Sequence, residues 1–181
     1  ILKVQNLSGL SAMVGDIPYD EAFKFKDNMT PAFESQEAVL QKCFRDLDSA
    51  NVILARRPTS VKTGLDCLYN DKADGWRRFA NTLKVRLLCR AASIYNSEKG
   101  SDYYWGEIDR MYKDPTNFPL FESNDDNALV RYQEVDPYKS YYFYDADSQF
   151  SESDMTNYRI CEQVIKMMTV KNADGNVIYE D

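Results

Sequence analysis

The 181-residue chain contains no histidine. That removes the commonest general base, the commonest metal ligand and every Ser-His or Cys-His nucleophile pair. Its seven glycines are scattered, so the Gly-rich loop that cradles phosphates is missing and no cofactor is expected. Basic residues are in deficit: 22 Lys and Arg stand against 29 Asp and Glu, a net charge of −7. Neutralising phosphate with Lys and Arg supplies most sequence-independent nucleic-acid affinity, so nucleic acid is excluded as a partner of that kind. No apolar run approaches the ~18 to 20 residues of a membrane-spanning helix. Cys43, Cys67, Cys89 and Cys161 include no C-x-x-C pair, and a zinc site would need all of them to converge from distant segments. Cys43, Cys89 and Cys161 fall inside apolar helical patterns and are expected as buried free thiols. The spacing leaves one disulfide open.

Hydrophobic residues make up 44% of the chain, enough for one packed domain or part of a larger one. Tyrosine leads the aromatics, with 13 residues against nine Phe and two Trp. Such an excess points to a surface that stacks and hydrogen-bonds together. The start, Ile1-Leu2-Lys3-Val4-Gln5, lacks a basic leader, a long apolar stretch and a small-residue cleavage site. It reads as the inside of a helix, and the chain ends on the strand-like run from Asn176 to Asp181. A piece of a longer protein is the expectation.

Residues 1–14 place Leu2, Leu7, Leu10, Met13 and Val14 at near-helical spacing, and Gly15 and Pro18 stop the pattern. Ser35 is a good N-cap for a long helix with Val39, Leu40, Phe44, Leu47, Ala50, Ile53 and Leu54 on one stripe. Residues 59–75 are polar and turn-rich. Trp76, Phe79, Ala80, Leu83, Leu87, Ala91 and Ile94 then follow 3 and 4 spacing, with Arg77, Arg78, Lys84, Arg86 and Arg90 expected on other faces. A shorter helix uses Tyr104, Ile108 and Met111. Residues 128–153 lose helical period, a further helix is expected from about Ser153 to Met168, and residues 173–176 turn before a strand at Val177. Helices dominate, so the expected fold is all-α, a helical-hairpin arrangement with long loops and a few short strands.

Several segments together resemble one family. Gly15-Asp16-Ile17-Pro18-Tyr19-Asp20-Glu21-Ala22 is similar to the G-D-[IV]-P-Y-x-E-A segment of the SusD/RagB-like outer-membrane lipoproteins of Bacteroidetes. Thr30-Pro31, Phe33-Glu34-Ser35-Gln36-Glu37 and Leu47-Asp48-Ser49-Ala50 resemble that family's T-P-x-[FY]-D-[ST]-Q-E and L-D-x-A segments. The run from Trp76 to Leu87 looks like W-x-K-F-A-N-S-L-K-L-R-L. The resemblance covers residues 1–95 firmly and the rest by position. It implies a tetratricopeptide-like scaffold carrying glycan- or nutrient-binding loops, in a surface lipoprotein of the outer membrane that caps a SusC-like TonB-dependent transporter. Membrane contact would run only through a lipid anchor outside this chain. It also implies that the chain is the central part of a single helical domain. The motif residues themselves read as architectural: Asp16 caps or bridges backbone at its turn, and Pro18 fixes the turn's direction.

Sugar rings offer apolar C–H faces edged by hydroxyls, which aromatic rings and Asp, Asn, Gln or Arg groups match. The richest such segment carries Tyr138, Tyr141, Tyr142 and Tyr144 with Asp145, Asp147 and Gln149, and these are the candidate ligand contacts. Tyr103, Tyr104 and Trp105 open a predicted helix, where packing is the commoner role; Trp105 is retained as a contact. Asp145-Ala146-Asp147-Ser148-Gln149 begins like a calcium loop but has Phe150 and Thr156 where Gly and Glu are needed, so no metal is expected. No carboxylate pair is specially placed for glycoside cleavage, and the family resembled is not enzymatic. The alternative reading is a helical scaffold that binds peptide or protein instead of oligosaccharide.

Overall fold

The computed structural model describes residues 1–56, 66–99, 102–130, 170–171 and 177–178. Two compact units divide the chain, Ile1–Val130 and Arg131–Asp181. In the first, the described residues form α1 (Leu2–Val14), α2 (Gln36–Arg56), α3 (Ala73–Lys99) and α4 (Asp102–Lys113). Each helix packs chiefly against the next in sequence, the expected helical-hairpin order. In the second unit, β1 (Val170–Lys171) and β2 (Val177–Ile178) pair antiparallel, with Val170 opposite Ile178. The expected helix ending at Met168 and the turn at 173–176 lie outside the described residues.

α1 corrects the expected stripe. Of its predicted inward positions only Leu7 is buried; Leu2, Leu10, Met13 and Val14 are exposed, and Val4, Leu7, Ser8 and Ser11 face the core. Those positions keep helical 3 and 4 spacing, but two of them are polar. The serines tolerate burial because their hydroxyls donate locally, Ser8 to the Gln5 carbonyl at 3.3 Å and Ser11 to that of Gly15 at 2.8 Å.

The α1–α2 connection is fastened by the resembling motif. Gly15 takes φ +86 at the end of α1, where a side chain would be strained. Asp16 Oδ1 accepts the Gln36 N–H at 3.0 Å across the connection, and Ile17 pairs with Glu34 in an antiparallel bridge. Glu34 accepts the Tyr19 and Asp20 N–H groups at 3.2 and 2.9 Å and pairs with Lys42. Burial pushes its carboxyl up, but these bonds outweigh that and hold it below its ordinary value. Tyr19 is fully buried and donates to Asp46 at 2.9 Å.

Ser35 caps α2 as expected, accepting from the Ala38 N–H at 3.3 Å. Val39, Leu40, Cys43, Phe44 and Leu47 face inward, whereas Ile53 is exposed and Asn51 is buried in the last part of the helix. α3 buries Ala80, Leu83, Leu87, Leu88, Ala91 and Ala92, and α4 buries Tyr104, Ile108 and Met111. These residues join α1 and α2 in one core, where each fully buried Leu or Ile contributes about 1.5–3 kcal/mol. Cys43 is buried as expected, and burial pushes its thiol up to about 11. Cys89 corrects the expectation: it is exposed, as is Cys67, and Ile94 on the same helix is exposed too. Cys161 lies outside the described residues. Lys84, placed on an outer face by the sequence, is buried.

Candidate functional site

The start of α3 is fixed by a carboxylate. Asp66 accepts the Leu68, Tyr69 and Asp71 N–H groups at 3.0–3.2 Å and the Trp76 indole N–H at 2.6 Å. Burial raises its carboxyl, but the indole and backbone donors prevail and lower it. Tyr69 meets Trp76 edge-on, with ring centroids 5.5 Å apart, and donates its hydroxyl to the Asp126 carbonyl at 3.0 Å.

One turn further, α3 holds the segment that follows α4. Asn51 Oδ1 accepts from Arg77 Nε at 2.8 Å and from Asn81 Nδ2 at 3.1 Å. Asn51 Nδ2 donates to the Asn117 carbonyl at 3.0 Å, and Asn81 Nδ2 to that of Pro119 at 3.1 Å. Arg77 Nη2 reaches the Thr116 and Asn117 carbonyls at 3.2 and 2.8 Å. Thr82 Oγ1 accepts the Phe121 N–H at 3.0 Å. An otherwise irregular segment thus has its backbone groups satisfied by side chains of a rigid helix.

Between this segment, the end of α2 and the start of α3 lies a cavity of about 400 Å³. Its polar lining includes Arg56, Arg77, Arg110 and Asn51, and its apolar lining includes Val52 and Phe118. The Arg110 guanidinium sits 4.4 Å over the Phe118 ring. Behind the cavity, Lys84 Nζ donates to both Asp48 oxygens at 2.7 and 2.9 Å and to Glu107 at 2.7 Å. Arg110 donates to Glu107 through Nε and Nη2 at 2.9 and 2.6 Å. The Arg110 bonds chiefly, with Lys84 adding to them against burial, hold the Glu107 carboxyl at about 2. Among the described residues no group of three or more Asp, Glu or Cys is placed to hold a metal ion. A cavity with an aromatic wall, amides and guanidinium groups is suited to a polar ligand with an apolar face.

The SusD-like family described as starch-binding and associating with the outer membrane matches residues 1–174. The chain belongs to that family. Solved structures carry the same fold. This SusD-like chain is 28% identical to an outer-membrane protein of Bacteroides vulgatus described as involved in nutrient binding, with a TM-score of 0.68 over 80% of this chain and 31% of that one. A SusD homologue from Bacteroides fragilis is 23% identical, with a TM-score of 0.65 over 96% of this chain and 37% of that one. A further homologue, from Bacteroides ovatus, is 24% identical, with a TM-score of 0.53 over 75% of this chain and 27% of that one. The last two likenesses are of fold. The chain spans about a third of the length of the first two solved structures. No curated protein matches it.

Of the contacts expected for this SusD-like chain, Trp105 lies on α4 and is 52% exposed, as is Tyr103 beside it, while Tyr104 between them is fully buried. Tyr138, Tyr141, Tyr142, Tyr144, Asp145, Asp147 and Gln149 lie outside the described residues. Sequence reasoning missed Arg56, Arg77, Arg110 and Phe118 as cavity residues. Periodicity puts Arg77 on another face of the Trp76 helix, and nothing local in the sequence marks Arg56, Arg110 or Phe118 as cavity residues.

Proposed function

We propose that this SusD-like chain is a nutrient-binding component of an outer-membrane uptake system: it captures oligosaccharide without covalent chemistry and passes it to a SusC-like TonB-dependent transporter. The observation that carries the reading is the match of a starch-binding, outer-membrane-associated family over residues 1–174. The mixed cavity beside α3 supports it. In this reading Tyr138, Tyr141, Tyr142, Tyr144, Asp145, Asp147, Gln149 and Trp105 add stacking and hydrogen-bonding groups to the ligand surface. Two or three aromatic contacts, each about 0.5–1.5 kcal/mol beyond area burial, together with hydrogen bonds give Kd values of roughly µM to mM. Weak capture suits a protein that hands its ligand on. Tethering by a lipid anchor at the cell surface would raise the ligand's concentration at the transporter mouth.

Titration calorimetry of the full-length protein against plant, host and microbial glycans tests the proposal. Heat with at least one glycan and none with peptides is expected. Heat with peptides alone would transfer the assignment to a peptide-binding scaffold.

A further inference from the structure

We infer that the cavity between α2, α3 and the segment after α4 is a subsite for an acidic saccharide, with its arginines receiving a carboxylate borne on a sugar ring. The inference rests on the nutrient-binding reading above and names the ligand class at one site within it.

A guanidinium carries five N–H groups in a planar fork. Arg77 spends Nε and Nη2 on Asn51 and on the Thr116 and Asn117 carbonyls, and Arg110 spends the same two nitrogens on Glu107. In each, Nη1 makes no hydrogen bond among the described residues. Arg56, in the last turn of α2, makes neither hydrogen bond nor ion pair there. All three line the same cavity. The first two are held in place by the bonds they do make, so their remaining donors are oriented before any ligand arrives.

The neighbouring carboxylates do not use up these donors. Asp48 also lines the cavity, but both its oxygens take Lys84. Glu107 is occupied by Lys84 and Arg110, and Asp114 accepts from the Asn117 amide at 2.8 Å. Arg56, Arg77, Arg110 and Lys84 together outnumber them, leaving local positive charge in a chain whose net charge is −7. Arginine's fork matches a carboxylate with two parallel bonds. Phe118, Val52 and Ala55 supply apolar wall against which a sugar's C–H face can rest, and about 400 Å³ falls in the range of small-ligand pockets.

The test compares trigalacturonate, its methyl ester, a sulfated disaccharide and an acidic heptapeptide, each titrated into the full-length protein. The free acid is expected to bind at least about tenfold tighter than the ester, the usual scale for a hydrogen bond to a charged group. The gap narrows as NaCl rises from about 20 to about 200 mM. Arg56→Gln closes most of it, whereas Arg86→Gln, which removes one charge from an exposed position on α3, leaves it open. Arg110→Gln provides a second cavity variant, and circular dichroism checks that each variant is folded. Equal binding of acid and ester overturns the subsite and leaves the nutrient-binding reading standing. Absence of binding by all three saccharides overturns the subsite, whereas the nutrient-binding reading falls only if the wider glycan panel above also gives no heat. Preference for the sulfated ligand overturns the carboxylate assignment, and preference for the peptide overturns the saccharide class.

Discussion

At the scale of single residues, close approach and buried polarity decide the outcome. A Cβ on Gly75 would come within 2.4 Å of Tyr69 Cδ1 and 2.6 Å of its Cγ. The ring cannot swing away freely, because Trp76 flanks it and its hydroxyl is bonded to the Asp126 carbonyl. Gly75→Ala should therefore cost about 1–3 kcal/mol of stability. Gly106, inside α4, has nothing within 4 Å of such a Cβ, so Gly106→Ala should stabilise by about 0.5–1 kcal/mol. Urea denaturation of the two variants reads both magnitude and sign. Lys84 is a sharper case. Its side chain is 3% exposed, against 46% for Asp48 and 25% for Glu107. Lys84→Met would remove the cation that Asp48 and Glu107 share, leaving Glu107 with Arg110 alone. The expected loss is about 1–3 kcal/mol, below the cost of a fully buried pair because Asp48 remains in contact with water. The same denaturation experiment checks it.

At the scale of elements, carboxylates join one helix to the next, and they make stability depend on acid. Glu107 of α4 receives Lys84 of α3, which also holds Asp48 of α2. Its carboxyl titrates at about 2 in the folded chain, below its ordinary 4.5. A depressed carboxyl stabilises fully above the ordinary value, and that contribution is lost as pH falls toward the folded one. Melting temperature should therefore drop between about pH 4.5 and 2, and Glu107→Gln should flatten that part of the profile in thermal melts. Glu34 and Asp66 are lowered as well and act in the same direction. At the α1–α2 connection, Asp16 accepts the Gln36 N–H at the start of α2. Asp16→Ala should cost about 1 kcal/mol, the usual worth of an N-terminal cap, and hydrogen exchange should quicken in the first turn of α2. The positions of these helices were legible in the sequence, as was the Ser35 cap. The inner face of α1 was not, because Ser8 and Ser11 look polar to any hydrophobicity count yet satisfy their hydroxyls within their own helix and turn.

At the scale of the whole molecule, the chain divides at Val130 and Arg131, and the unit Ile1–Val130 has its own core drawn from all four described helices. Expressed as residues 1–130, it should give a helical circular dichroism spectrum and a cooperative melt. A non-cooperative melt would show that it depends on the remaining residues. Function at this scale is read from kinship more than from shape, since one helical scaffold hosts many activities. In the proposed function the family match carries the general role, and in the proposed subsite the guanidinium groups lining the cavity would recognise the ligand.

Local periodicity and punctuation in the sequence were sufficient to determine where the helices of the first unit lie and how α2 is capped. These are matters of neighbouring residues, and a helix repeats every few positions whatever it packs against. Tertiary structure alone decided that Lys84, Asn51 and Asn81 are buried and that Arg56, Arg77 and Arg110 meet around one cavity. Burying a polar side chain becomes tolerable only when partners arrive to satisfy it. Those partners are remote in the chain: Lys84 finds Asp48 36 positions away, and Asn51 finds the Asn117 carbonyl 66 positions away.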